Sequence, residues 1–183
     1  MLVILSALLA AHAADAAPAA APQPVPFAGR TGRVVRLRCH MMECGWHQPL
    51  SIEAVRRGEG WVLQKVTARQ GRSVHRSETP GRYRRGLPID WEAPSDHYVL
   101  CSRERPAALF RSEDGTWIAH QLNLFDLYGF AYSSAYIYLN ACHGDPEALY
   151  DERRLRALGY QPGGETRQIE LSAPEAILDL PPR

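Results

Sequence analysis

Residues 96–144 read DHYVLCSRERPAALFRSEDGTWIAHQLNLFDLYGFAYSSAYIYLNACHG, and this stretch decides the fold class. His97 to Cys101 is a short strand. Ala107 to Arg111 and Thr116 to Leu122 flank Asp114-Gly115. Asp-Gly between alternating segments predicts a hairpin whose two turn positions both take positive φ. Ile118, His120 and Leu122 share one face of the second arm, Trp117 and Ala119 the other. After an irregular aromatic run with Gly129 as a turn, Ala135 to Ala141 alternates again. Ile137 and Leu139 face one way and Tyr136 and Tyr138 the other, which predicts a further strand.

Upstream, Arg33 to Cys39 sets Val35, Leu37 and Cys39 on one side and Arg36 and Arg38 on the other, the pattern of a half-buried strand. Ser51 to Arg57, Gly58-Glu59-Gly60 and Trp61 to Ala68 read as strand, turn, strand, although neither face of the second arm is cleanly apolar. Downstream the period changes. Asp145 at an N-cap, Pro146 at N1, Arg153, Arg154 and Arg156 toward the end and Gly159 as a stop predict a helix. Its buried side would be Leu149, Leu155 and Leu158. The expected fold is therefore mainly β: an antiparallel sheet closed into a small barrel or sandwich, with one C-terminal helix.

The flanks set the domain boundaries. Leu2 to Ala11 is an apolar run too short to span a bilayer, and Ala11-His12-Ala13 fits signal-peptidase cleavage, so residues 1–13 are expected to be a signal peptide. The alternative is a buried N-terminal helix. The segment before the apolar run carries no Lys or Arg, which leaves room for a start upstream of Met1. Residues 14–28, rich in Ala and Pro, read as a linker. Residues 29–160 form the expected disulfide-bonded domain, and 161–183 a mostly extended tail with one extended segment around Gln168 to Leu171. No later run is apolar enough for a membrane span after cleavage. The expected location is periplasmic or secreted.

Charge is balanced overall and uneven along the chain. Arg30 to Arg85 holds 13 basic against 4 acidic residues, and everything from Gly86 onward holds 8 against 15. Such halves attract one another within one fold. They also offer a basic face to an anionic partner.

Four cysteines in an exported chain predict two disulfides, of which Cys101–Cys142 and Cys39–Cys44 are favoured over pairings that join the two halves. The stretch Cys39 to His47 also holds His40, Met41, Met42 and His47, whose soft donors suit Cu(I) or zinc as an alternative metal set. For catalysis, His97, His120, Asp126, Ser133 and Ser134 supply the elements of a triad without a supporting motif, and His120 or His143 would serve a hydrolase. Neither a Walker sequence nor G-x-G-x-x-G occurs, and no cofactor is expected. Residues 70–94 read as a long exposed loop in which Arg82, Tyr83, Arg84 and Arg85 combine guanidinium groups with an aromatic ring, a binding composition.

The phrases Tyr98-Val99-Leu100-Cys101-Ser102, Arg105-Pro106-Ala107, Gly115-Thr116-Trp117-Ile118-Ala119-His120 and Leu139-Asn140-Ala141-Cys142-His143-Gly144 resemble a group of small exported proteobacterial proteins of unknown function. The resemblance implies export and supplies no activity. The expectation is a non-enzymatic exported protein that binds an anionic envelope component or another envelope protein, with no role for nucleic acid. A periplasmic hydrolase and a soft-metal-binding protein are the alternatives.

Overall fold

The computed structural model describes residues 26–74 and 88–181. The described residues fold into one antiparallel sheet of eight strands: β1 (Val35–His40), β2 (Glu43–Gly58), β3 (Trp61–Val74), β4 (Asp90–Trp91), β5 (Ser95–Ser102), β6 (Ala107–Arg111), β7 (Trp117–Gln121) and β8 (Arg167–Leu171). The order across the sheet is β1-β2-β3-β5-β6-β7-β8, with β4 paired to β3. The chain is mainly β and antiparallel, as expected. The sheet stays open rather than closing into a barrel or sandwich, because β1 and β8 lie at opposite ends of the order. No helix among the described residues is long and apolar enough to cross a membrane.

Helix α1 (Ala131–His143) lies on one face of the sheet. This overturns the expected strand at Ala135 to Ala141. The alternation misled because the helix is covered nearly all round, with every residue from Ser134 to Cys142 buried. A helix with no solvent stripe loses the 3.6-residue polar signature that would identify it. Gly144 marks its end, at φ 63°, with its N–H on the Asn140 carbonyl at 2.9 Å and the Asp145 N–H on the Leu139 carbonyl at 3.4 Å. This is the left-handed cap that glycine adopts without steric penalty.

The expected C-terminal helix forms in two pieces. Pro146–Tyr150 is a 3-10 turn, and α2 (Glu152–Ala157) follows. Asp151 rather than Asp145 caps α2, accepting from the Arg153 and Arg154 amides at 2.9 and 3.3 Å. Asp145 instead holds Arg154 Nη2 at 2.6 and 2.5 Å.

Both faces of the central strands are buried, so adjacent residues serve different cores. Val62, Val66, Val99 and Cys101 pack with Ala135, Ile137, Leu139 and Cys142 on the helix side. Leu63, Leu100, Leu109, Ala119 and Leu171 form the other core with Ile177, bordered by Trp61, Tyr98 and Trp117. Burial on two sides explains why Trp61 to Ala68 shows no clean apolar face. Ile177 lies in a second 3-10 turn, Pro174–Asp179. The segment expected as a mostly extended tail thus supplies an edge strand, at the position foreseen around Gln168 to Leu171, and part of a core.

Ahead of β1 the chain is already docked. The Ala28 and Arg30 amides donate to the Cys142 and Asn140 carbonyls at 2.8 and 3.3 Å, and the Gly32 amide to the Pro49 carbonyl at 2.7 Å. The first satisfies the Cys142 carbonyl at the end of α1, and the second shares the Asn140 carbonyl with the Gly144 amide. Gly29 passes so close that a Cβ there would sit 2.0 Å from the Ala141 carbonyl oxygen.

Both favoured disulfides are present, Cys39–Cys44 and Cys101–Cys142. The second joins a strand to a helix, not two strands. Its Cα atoms stand 5.5 Å apart, within the usual span for the bond.

Candidate functional site

The antiparallel pairing of β1 with β2 sets Arg36 opposite Trp46. Arg33 and Val34 precede this point on the chain. Across from them stand Tyr136 of α1 and Pro146, Glu147 and Tyr150 of the 3-10 turn. Together they line an open groove of about 360 Å³. Arg33 donates to Glu147, and the Tyr136 hydroxyl to that of Tyr150. The two phenol rings meet edge-on at 5.7 Å. Trp46 is fixed beneath by its indole N–H, which donates to the buried Ser73 hydroxyl at 2.8 Å. Burial and the Tyr150 hydroxyl raise the Tyr136 phenol well above its ordinary pKa, so it stays a neutral donor at physiological pH. Two guanidinium groups, one of them paired with the Glu147 carboxylate, thus share one concavity with an indole and two phenols. Arginine pairs with carboxylate or phosphate, and aromatic faces take the C–H face of a sugar or a flat ring.

The histidines lie elsewhere. His47, His97 and His120 stand on the helix side of the sheet. His47 and His97 meet edge-on at 5.1 Å, His97 stacks on Phe110 at 5.6 Å, and Phe110 and His120 are 5.4 Å apart. Burial lowers their pKa values to about 4, about 3 and about 4, so all three are neutral at pH 7. Neither ring nitrogen of His47, nor Nε2 of His97, has a hydrogen-bond partner.

The elements of a triad do not assemble. His97 is buried against His47 and Phe110, whereas Asp126 is exposed. His120 does meet Ser134, with Nδ1 2.6 Å from the hydroxyl oxygen. Its Nε2 lies 3.0 Å from the Gln168 side-chain nitrogen, which donates to it. Nε2 is then the acceptor and Nδ1 carries the proton, so His120 donates to Ser134 and does not activate it. Ser134 is also only 2% exposed, closed to substrate.

His143 ends a chain of phenols. Tyr138 spends its one proton on the Ser102 carbonyl at 2.8 Å. In its 2.7 Å contact with Tyr160, Tyr160 is therefore the donor, and Tyr160 must accept from His143 Nε2 at 2.7 Å. All the protons of this chain are committed to structure. Burial lowers the His143 pKa to about 4, aided by Arg103.

The proposed metal set is divided. His40, Met41 and Met42 are exposed at the β1–β2 tip, while His47 is 1% exposed. Arg82, Tyr83, Arg84 and Arg85 lie outside the described residues. The groove residues carried no sequence signal as a set, since they are drawn from positions 33 to 150 and only strand pairing and the helix bring them together. Arg36 read as one of a solvated strand face, and Tyr136 as one aromatic among many.

No protein-family model matches the chain, no curated protein matches it, and no solved structure does.

Proposed function

We propose that this is an exported, non-enzymatic binding protein of the cell envelope, and that the groove between β1 and α1 holds an acidic sugar unit of an envelope polymer. The observation that carries the reading is the meeting of Arg33, Arg36, Trp46, Tyr136 and Tyr150 in one open concavity. Guanidinium groups supply charge-matched hydrogen bonds to a carboxylate or phosphate, and the rings supply an apolar platform for the sugar face. Two disulfides suit an oxidising compartment. A binding role is favoured over hydrolysis because the described residues of the groove include no nucleophile with a base beside it, and the Ser134–His120 contact is closed and oriented the wrong way. The basic surplus in the first half of the sequence favours an anionic partner.

Retention on immobilised alginate, an acidic polysaccharide, against neutral dextran tests the reading. The protein is expected to be retained on alginate alone and released as salt rises, because exposed charges lose most of their mutual attraction beyond about 10 Å at 0.1 M ionic strength. Equal retention on both matrices, or on neither, contradicts an acidic-sugar site.

A further inference from the structure

We propose that the tip of the β1–β2 hairpin binds a soft monovalent metal ion of the Cu(I) class through the thioethers of Met41 and Met42, with the His40 imidazole as a third donor. His40 pairs with Glu43, so Met41 and Met42 alone make the turn. Both hold positive φ, 46° and 68°. A two-residue hairpin turn of this kind favours Asn-Gly, because a Cβ is strained in the left-handed region. Among the described residues these methionines are the two non-glycine residues at positive φ. Packing does not compensate, since Met41 is 82% and Met42 61% exposed. Strain held at an exposed position, by side chains outside both cores, points to a use for the side chains themselves.

The thioether is a neutral, soft donor that does not protonate in the ordinary pH range, and it selects Cu(I) over harder ions. The Cys39–Cys44 disulfide closes the hairpin immediately behind the turn, with Cα atoms 4.0 Å apart. It restricts the turn before any ion arrives, and both of its sulfurs are spent as ligands. His40 is exposed and adjoins the turn. His47, near in sequence, is buried and lies outside the set.

The test is anaerobic titration of the oxidised, full-length protein with Cu(I) against a chromogenic bicinchoninate competitor, with the methionine methyl resonances followed by NMR. One equivalent should be taken up and the Met41 and Met42 methyl signals should shift. In the Met41→Leu/Met42→Leu variant, which keeps an apolar tip, affinity should fall by at least about tenfold, because leucine offers no donor. Met41→Asn/Met42→Gly, which suits the turn, should lose binding equally while remaining folded. Failure of the native protein to compete for Cu(I), or full affinity in either double variant, overturns the proposal.

Discussion

The two disulfides close two unlike regions. Cys101–Cys142 is wholly buried, spans 41 residues and ties β5 to α1 at the centre of the helix-side core. Cys39–Cys44 spans five residues and closes a hairpin whose turn projects into solvent. In the first region the helix end is capped by Gly144 and by the segment at Ala28 and Arg30, and the phenol chain from Ser102 to His143 leaves no spare proton. In the second, two exposed side chains sit in a strained turn outside both cores. The first region holds the fold together. The second presents two exposed thioethers to solvent.

Removing the disulfides one at a time should separate these roles. Cys101→Ala/Cys142→Ala should lose about 4 kcal/mol, the chain-entropy value for a loop of this length, and Cys39→Ser/Cys44→Ser about 2 kcal/mol. Denaturant unfolding measures both. Equal losses would erase the distinction, and a larger loss at the hairpin would reverse it.

Acid should act on the helix-side core. His47 and His97 are held neutral in the fold, with pKa values of about 4 and about 3, mainly by burial; His47 adds to the effect on His97 and Asp96 opposes it. In the unfolded chain each protonates near 6.5. Below that pH the unfolded state binds more protons, so stability falls as pH drops and is fully retained above it. At pH 5 each histidine should remove roughly 2 kcal/mol relative to pH 7.5. Unfolding free energies at the two pH values check this, with His97→Phe flattening part of the slope. A pH-independent stability would mean that these rings are not held neutral.

Legibility in the sequence followed how local each signal is. The arms of β2–β3 and β6–β7, the strand at β1 and the segment that became β8 were legible because period-two alternation and glycine turns are local. The turns themselves were less so. At Asp114-Gly115 only Gly115 takes positive φ, at 90°, and the Asp114 carboxylate accepts from the Thr116 amide and the Ser112 hydroxyl at 3.0 and 2.6 Å. The loop is therefore longer than the two-residue turn expected there. The two-residue hairpin turn with both φ values positive is Met41-Met42, where no residue preference announces it. The disulfide pairing was foreseen, although Cys142 reaches Cys101 from α1 and not from beside the strand expected at Ala135 to Ala141. The groove was illegible because Arg36, Trp46, Tyr136 and Tyr150 become neighbours only through strand register and helix placement.

The central claim, that the groove binds while the core supports, is tested most directly by the Arg36→Glu/Tyr150→Ala variant, with alginate retention and denaturant unfolding measured on one preparation. Retention should fall by about tenfold or more, the loss of roughly 1.4 kcal/mol of binding free energy. Unfolding free energy should change by less than about 1 kcal/mol, as expected for surface substitutions. Undiminished retention by a folded variant would contradict the account.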